Sequence, residues 1–316
     1  MRPLVSVVMP IYNQERYVQA AVDSVLRQSF TDFEFVIVDD GSTDGTKEIL
    51  GRLTDPRVHV VASPHVGFLG ALERAVRESV GPWIARMDSD DLCHPDRLKR
   101  QMEYIYAHKD CVFLSCIYGL VTPNDRFLAP KKTGQHQYLK KPDITFSTGM
   151  FSDPGTIFDR QCALDVGMND LDFNGCEKSL WYKMLDRGAG VVFGEPLYFA
   201  RWRLGSISRS NFQERSEIHF GVRKRYDPEN VHLLRPPQRI DQRTGTIKAA
   251  ARCVDFYLLA GDAPAARDLA SQVWRTWPFA PRALKLLTKA VTKRRALRLW
   301  KRGDDHPDFK PIPRPW

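Results

Sequence analysis

The feature that most constrains this chain is an alternation of short apolar runs and amphipathic segments through about its first 100 residues. Residues 5–9 form a β-branched run closed by Pro10, and apolar side chains at 18, 21, 22, 25 and 26 follow with helical spacing. The same patterns predict strands at 33–38, 58–61 and 83–87, and helices at about 44–53, at 68–79 and from Pro95. Strands that alternate with helices favour parallel pairing, so we expect an α/β fold with a mostly parallel sheet and helices on both faces.

Polar clusters follow three of these predicted strands. Pro10 and Tyr12 follow the first, Asp39 and Asp40 end the second, and the stretch RMDSDD (86–91) ends the fourth. In an open parallel sheet, ligands bind beyond the carboxyl ends of the strands, so we expect the clusters to line one edge. None of the three contains the glycine pattern of a dinucleotide site or a P-loop.

The third cluster contains Asp88, Asp90 and Asp91, whose like charges repel unless a positive charge lies nearby. Carboxylate oxygens on an exposed turn suit Mg²⁺ or Mn²⁺, which completes its coordination with water and substrate phosphates. A solvated turn or a helix cap would give the same pattern, so both interpretations stay open.

Asp40, at the end of the second predicted strand, has two interpretations as well. It could accept the N3–H of uracil or thymine while Tyr12 stacks on the ring, or it could cap the next helix, as we expect of Asp44.

Four stretches resemble the family-2 glycosyltransferases in content, order and spacing. They are VSVVMPIYN (5–13), FEFVIVDDGSTDGT (33–46), GPWIARMDSDD (81–91) and HPDRL (94–98), and a weaker similarity continues through IFDRQCALDVG (157–167), CEKSLWYKMLDRG (176–188) and RWRLGSIS (201–208). The resemblance covers roughly residues 4–210. It implies the GT-A (Rossmann-like) fold and inverting transfer of a sugar from a nucleoside-diphosphate sugar to a hydroxyl of a glycan or lipid-linked acceptor in cell-surface polysaccharide synthesis. A UDP-sugar is the commoner donor in the family, and dTDP stays open.

The resemblance also implies roles for individual residues. The nucleotide would be bound by six residues, five in the three clusters and one just before the predicted helix at 68–79: Pro10, Tyr12, Asp39, Asp40, Asp88 and Gly67. Asp88 and Asp90 would hold a divalent ion, Mn²⁺ or Mg²⁺, with Asp90 the more direct ligand. Glu177 stands where the family has its general base, and Asp172 is the second candidate. The alternative is that Glu177 is an ordinary carboxylate in the first turn of a helix.

Two departures from the family pattern bear on activity. Family members usually have a Glu-Asp pair where this chain has Cys176 and Glu177, and many have a histidine where it has Arg203. Arginine cannot bind a metal ion but can hold phosphates with two hydrogen bonds, so Arg201 and Arg203 are expected to contact the diphosphate or to be surface charges. A catalytically impaired pseudoenzyme that binds nucleotide-sugar, or an interaction protein, is therefore the alternative to an active transferase.

Beyond the clusters, the pattern suggests several regions. The predicted domains are a glycosyltransferase domain at 1–215, a connecting segment at 216–245, a helical extension at 246–302 and a tail at 303–316. Within the first of them, the proline- and lysine-rich stretch 120–150 is predicted to be a flexible loop. Residues 205–245 are polar and show no clear period.

The net charge of +9 comes from one segment, because residues 282–302 contain nine Lys/Arg and no Asp/Glu. Lys285, Lys289 and Lys293 recur at helical spacing opposite Leu284 and Val291, which predicts a basic helix on an anionic membrane or, equally, a solvated helix packed on the domain. A body balanced in charge, without a known binding motif, argues against a nucleic-acid partner.

No run of 18 apolar residues and no signal-peptide pattern is present, and the six cysteines have no metal-binding spacing. We therefore expect free thiols in a cytoplasmic protein, peripheral on the inner face of the membrane if the basic helix binds lipid.

Overall fold

The computed structural model of the chain describes residues 2–130, 134–143, 153–173, 176–203, 212–233, 242–278, 280–292 and 309–314. Its strands are β1 (Val5–Ile11), β2 (Phe33–Asp39), β3 (Val58–Ala62), β4 (Trp83–Arg86), β5 (Leu92–Cys93), β6 (Cys111–Val121), β7 (Phe127–Pro130), β8 (Gln137–Leu139), β9 (Ile157–Asp159), β10 (Ala189–Arg201) and β11 (Phe309–Ile312). Its α-helices are α1 (Val18–Leu26), α2 (Thr46–Leu50), α3 (Phe68–Glu78), α4 (Arg97–Ala107), α5 (Arg160–Asp165), α6 (Lys178–Met184), α7 (Phe212–Tyr226), α8 (Gln242–Leu259), α9 (Ala263–Thr276) and α10 (Pro281–Thr292).

The strands form one mixed sheet, which confirms the predicted α/β architecture. Its main order is β11-β7-β6-β9-β4-β1-β2-β3, and β10 lies beside β6. The pairs β3-β2, β2-β1, β1-β4 and β6-β10 are parallel, and the remaining pairs are antiparallel. Parallel pairing is thus concentrated where strands and helices alternate along the sequence, because a crossover helix is what returns the chain in the same direction.

Helices cover both faces of the sheet, as predicted. Met9 of β1 packs in one core with Val22 of α1 and Met102 of α4, whereas Val8 packs in a second core with Leu72 of α3. Neighbouring residues of a strand point to opposite faces, so β1 contributes to both cores. Each fully buried aliphatic side chain of this kind contributes about 1.5–3 kcal/mol to stability, and together they fix the sheet edge on which the polar clusters lie.

Two expectations from the sequence are wrong. The predicted loop at 120–150 includes β7 and β8, because both strands pair at the margins of the sheet and not within the alternating pattern. The helix predicted to start at Pro95 begins at Arg97 instead. The reason is local: the Pro95 carbonyl accepts the Ser29 N–H at 2.8 Å and so takes no part in the first turn.

The C-terminal helices α8, α9 and α10 pack against the domain through a third core. Trp202, just after β10, donates its indole N–H to Cys253 of α8 at 3.0 Å, and Tyr257 donates its hydroxyl to the Trp202 carbonyl at 2.7 Å. The predicted boundary at 215/216 falls inside α7 and the one at 245/246 inside α8. Since helices continue across both boundaries, the exact division into domains stays a prediction.

The basic helix predicted in 282–302 is oriented differently from expectation. Lys289 pairs with the buried Asp255 of α8, so it does not contribute to an exposed basic face. Leu284 and Val291 of α10 are instead more than half exposed, at 54% and 58%. Lys293 and the basic residues after it lie outside the described residues. In the described part of the chain, no helix combines the length and apolar character needed to span a bilayer.

No disulfide joins the six cysteines, which all lie in the described residues; Cys162 is partly buried and the other five are buried.

Candidate active site

The three polar clusters meet at one edge of the sheet, as the alternating pattern predicts. Strand β1 is flanked by β2 and β4, and all three run in parallel. Ile11 lies opposite Asp39, and the Met87 N–H donates to the Val8 carbonyl at 3.0 Å, so the clusters follow the strands at similar depth. Residues far apart in the sequence, such as Tyr12 and Asp88, are therefore brought to one edge.

The loops that follow β1 and β2 are held together by hydrogen bonds between their tips. Asn13, which has a positive φ of 52°, accepts the Thr43 N–H at 2.7 Å, and its own N–H donates to Ser42 Oγ at 3.0 Å. Asp44 accepts the N–H groups of Glu15 and Thr46, each at 3.1 Å. Helix α2 begins at Thr46 after Gly45, so Asp44 bonds the N–H of the first helical residue from one position ahead of the N-cap.

Asp40 lies at the centre of this edge, and its carboxylate is almost completely buried. It accepts the N–H groups of Val66 at 2.7 Å and Gly67 at 3.0 Å, just before α3. Both N–H groups lie ahead of the first turn of α3, so Asp40 braces the loop before that helix and caps neither α2 nor α3. His65 lies against the same carboxylate and packs on the ring of Tyr12, with centroids 4.4 Å apart.

Two other predicted nucleotide residues are placed in the same region. Asp39 is buried and accepts the Ser42 N–H at 3.0 Å, which supports the loop after β2. Pro10 lies in β1, next to the exposed Tyr12. Gly67 has a φ of +82°, a conformation that a side chain would strain, and its N–H is one of the donors to Asp40.

Asp88, Asp90 and Asp91 converge after β4, with one carboxylate oxygen of each within 4.8 Å of the others. Such a donor set fits a hard divalent cation, Mg²⁺ or Mn²⁺. Asp91 is the most buried of the three, and burial together with the charges of Asp90 and Asp88 raises the pKa of its carboxyl well above the ordinary value. The repulsion anticipated from the sequence is therefore present in the fold.

Two guanidinium groups offset this repulsion, and a third arginine holds the turn. Arg86 Nη2 lies 2.9 Å from Asp88 Oδ1, and Arg203 Nη2 lies 2.7 Å from Asp90 Oδ2. Arg201 donates its backbone N–H to Asp91 at 2.6 Å and its guanidinium N–H to the Asp90 carbonyl at 2.7 Å. The Arg201 side chain is only 1% exposed, so it is not a surface charge and it holds the turn in place. Arg203 is 24% exposed, so its pair with Asp90 is open to solvent on one side.

Glu177 lies at the N-terminus of α6, and its side chain is only 5% exposed. Its carboxylate forms an ion pair with Arg86, whose Nε lies 2.6 Å from Glu177 Oε1. Burial raises the pKa of the Glu177 carboxyl to about 8, and the charges of Asp153 and Asp88 add to the shift while Arg86 opposes it. One buried guanidinium therefore joins the candidate base to the candidate metal ligands.

The second candidate base is placed elsewhere. Asp172 is 72% exposed and pairs with Arg225 of α7 at 2.9 Å, together with Asp170. The cationic partner of Asp172 is thus Arg225, whereas the cationic partner of Glu177 is Arg86. The structure consequently favours Glu177 over Asp172 as the carboxylate of this site.

Reasoning from the sequence missed the roles of Arg86, Asp91 and Arg97. Arg97 is fully buried, and its guanidinium donates to the Arg86 carbonyl at 2.8 Å, which fixes the end of β4. Arg86 ends an otherwise apolar strand, and a charged residue in such a context is an indication that could have found it. Arg97 lies among polar residues in HPDRL, which gives no such indication. Asp91 was recognised only as one of several acids.

Comparison with known proteins places these residues in a family context. Residues 6–167 match the family model described as "Glycosyl transferase family 2". The chain is 32% identical to the "Putative teichuronic acid biosynthesis glycosyltransferase TuaG" of Bacillus subtilis (strain 168), over 74% of this chain and 92% of that protein. It is 30% identical to the "UDP-Glc:alpha-D-GlcNAc-diphosphoundecaprenol beta-1,3-glucosyltransferase WfgD" of Escherichia coli, over 67% of this chain and 82% of that protein. It is also 38% identical to the chondroitin synthase of Pasteurella multocida (strain Pm70), over 70% of this chain but only 23% of that protein.

Two solved structures share the fold. The S. aureus TarS fragment 1–349, in complex with UDP-GlcNAc, has a TM-score of 0.56 and 20% identity over 93% of this chain and 88% of that one. The mannosyltransferase PcManGT of Pyrobaculum calidifontis, in complex with GDP-Man and Mn²⁺, has a TM-score of 0.54 and 19% identity over 93% of this chain and 85% of that one. At such identities the likeness shows the fold alone.

Proposed function

The chain belongs to glycosyl transferase family 2, and from this premise we propose that it transfers a sugar, with inversion, from a UDP-sugar to a hydroxyl group of a glycan or lipid-linked acceptor. The relatives support a place in cell-surface polysaccharide synthesis. The names of TuaG and WfgD describe teichuronic acid biosynthesis and transfer to a diphosphoundecaprenol-linked sugar. The name of WfgD specifies UDP-Glc, which supports UDP as the nucleotide.

The observation that best supports this proposal is the continuous line of functional side chains along the sheet edge. Tyr12 and Asp40 offer a ring face and a carboxylate for a base, and the aspartate cluster follows at the end of the neighbouring strand β4. Arg86 then joins Asp88 to Glu177. A donor bound with its base at Asp40 and its diphosphate near Asp90 would present its sugar toward Glu177.

The proposed chemistry follows from these positions. The acceptor oxygen attacks the anomeric carbon, its proton passes to the Glu177 carboxylate, and the bond to the diphosphate breaks with its electrons leaving on UDP. Attack opposite the leaving group inverts the anomeric centre. Asp88 and Asp90 would hold the divalent ion, which when bound neutralises charge on the leaving diphosphate. Arg203 can add a further positive charge beside that diphosphate.

Peripheral contact with the inner face of the membrane is part of the proposal, because a lipid-linked acceptor would be found there. Leu284 and Val291 are exposed on α10, and six of the nine Lys/Arg of 282–302 follow this helix in the sequence. Sedimentation of the full-length protein with anionic liposomes at low salt tests this. If the protein stayed in the supernatant, a membrane-bound location would have to be abandoned.

Calorimetric titration of UDP and dTDP, with and without Mn²⁺, tests the donor site. We expect metal-dependent binding to the wild type and loss of that metal dependence in Asp90→Ala. Asp96→Ala is the matched control, since this acid lies in the same stretch but pairs outside the cluster, accepting Ser29 Oγ at 2.7 Å. No binding of either nucleotide would contradict the proposal. Binding without sugar transfer or donor hydrolysis would support the pseudoenzyme alternative, and product NMR would decide inversion.

A further inference from the structure

The Tyr12 ring at the nucleotide edge already has an aromatic neighbour. The imidazole of His65 lies with its centroid 4.4 Å from that of Tyr12, and the two planes are inclined by 34°. Both residues are at the surface, with 42% of Tyr12 and 56% of the His65 side chain exposed. His65 is thus a flat heterocycle packed against the ring on which a nucleotide base would stack, and it has solvent on one side into which it can move.

The same imidazole contacts the carboxylate that a base would use. His65 Nδ1 lies 2.9 Å from Asp40 Oδ2 and 3.0 Å from the Asp40 carbonyl oxygen. Both neighbours are acceptors, so Nδ1 must be the nitrogen with the proton. The Asp40 carboxylate also accepts the N–H groups of Val66 and Gly67. A carboxylate has about four acceptor positions, and the loop 65–67 already occupies three of them.

These contacts match those expected of a bound uracil or thymine, which would stack on Tyr12 and donate its N3–H to Asp40. We propose that His65 is a competing residue of the base site: its imidazole occupies the place of the donor base, so that the base binds by displacing it. This inference rests on the proposed function, because it assumes that Asp40 and Tyr12 bind the base.

An incoming base binds well only if its own contacts replace those that His65 gives up. A ring with an N–H at the edge facing Asp40, as uracil and thymine have, replaces both the stacking and the hydrogen bond that His65 gives up. Cytosine presents a lone pair at that position, so it would lose the hydrogen bond and face the carboxylate with an acceptor. Moving His65 aside costs the same free energy for every base, so the imidazole lowers the affinity for UDP as well, and the preference for a base with this N–H comes from Asp40.

Calorimetry on wild type, His65→Ala and His65→Phe, with UDP, uridine and pyrophosphate in the presence of Mn²⁺, tests the proposal. Removing the competing hydrogen bond should tighten UDP and uridine binding in His65→Ala by about two- to tenfold, the equivalent of one hydrogen bond. Pyrophosphate binding should not change, because it does not use the base site. His65→Phe keeps a ring on Tyr12 without a donor to Asp40 and should lie between the two. His59→Ala, on the exposed side of β3, is the matched control.

The outcomes separate cleanly. Weaker binding of UDP and uridine in His65→Ala would mean that the imidazole is a wall of the occupied site, and unchanged binding would mean that it does not compete; either overturns the proposal. A change with pyrophosphate alone would place the effect at the diphosphate and would also overturn it. If the wild type bound neither UDP nor dTDP, the proposed function would fail first, which is distinct from UDP binding that is indifferent to His65.

Discussion

Two groups of carboxylates at this sheet edge are stabilised in different ways. Around the nucleotide loops, Asp39, Asp40 and Asp44 accept backbone N–H groups of nearby turns. Around the aspartate cluster, the carboxylates of Asp88 and Glu177 face the guanidinium of Arg86, and that of Asp90 faces Arg203. Backbone N–H groups add no net charge and fix position, whereas guanidinium groups neutralise charge and can be exchanged for another cation.

The difference suits the two groups of carboxylates to two functions, recognition of a base and balance of charge. A carboxylate held by amides is a fixed acceptor, suited to recognising one edge of a base. A cluster held by arginines can keep its charge balance as ligands bind and leave. When a cation binds the carboxylates, the arginines can pair with the diphosphate instead. Substitutions that change charge should therefore have large effects in the second group, and substitutions that remove a hydrogen bond should have small effects in the first.

The largest effect is expected from Glu177→Gln, which keeps the shape of the side chain but cannot accept the acceptor's proton. The rate of transfer should fall by about 10²–10⁴-fold, with little change in the KM for the donor. Because the pKa of the Glu177 carboxyl is raised to about 8, the wild-type rate should increase as the pH rises toward that value, and the residual rate of the variant should lack this increase.

Rates of transfer measured across pH 6–9 would test this. Asp172→Asn is the control, since that carboxylate is exposed and paired with Arg225. If Asp172→Asn lost the pH-dependent rate and Glu177→Gln kept it, the assignment of the base would be reversed.

The next largest effect is expected from Arg86→Gln, measured as the free energy of unfolding in urea. Removing one partner of a buried ion pair costs about 3–5 kcal/mol, because the other charge is left uncompensated. The double variant Arg86→Gln/Glu177→Gln should be less destabilised than the sum of the two single variants, since it leaves fewer charges unpaired. Arg100→Gln is the control: its pair with Glu195 is exposed on both sides and should contribute less than about 1 kcal/mol. Equal losses of unfolding free energy in Arg86→Gln and Arg100→Gln would contradict the expected difference between the buried and the exposed ion pair.

How far the sequence predicts this site depends on whether the partners are local or distant. The runs at 5–9, 33–38 and 83–87 place Tyr12, Asp40 and Asp88 at one edge, because parallel pairing of alternating strands has few solutions. The pairing of Arg86 with Glu177 joins residues far apart in the sequence, and that of Arg203 with Asp90 also depends on where β10 ends. Strand β10 pairs with β6 and β8 outside the alternating pattern, so its position could not be predicted from periodicity.

The same reasoning explains why the basic face predicted for α10 is not formed by Lys289. The helix itself follows from its apolar spacing, but the direction of Lys289 depends on the buried Asp255 of α8. A lysine at helical spacing in the sequence is indistinguishable from a surface lysine until the neighbouring helix supplies a carboxylate.

The smallest effect is expected from Asp44→Ala in the amide-held group. Burial raises the pKa of the Asp44 carboxyl, but hydrogen bonds from Thr46 and the Glu15 N–H outweigh it, so the net pKa is lowered. A lowered pKa means that the contribution to stability is present at neutral pH and is lost as the pH falls through the acidic range. Losing this brace should cost about 1 kcal/mol at pH 7, and the difference from wild type should shrink toward pH 3.

Asp44→Asn provides the matched comparison for this prediction. The two N–H groups bind different carboxylate oxygens, Glu15 to Oδ2 and Thr46 to Oδ1, and an amide retains only one acceptor oxygen. Asp44→Asn should therefore be destabilised by less than Asp44→Ala, and its difference from Asp44→Ala should not depend on pH, because neither variant titrates at this position. Thermal unfolding of the three proteins at pH 7 and pH 3 measures both differences. A loss in Asp44→Ala as large as that in Arg86→Gln would mean that the amide-held loops also depend on charge balance, and the division between the two groups of carboxylates would not hold.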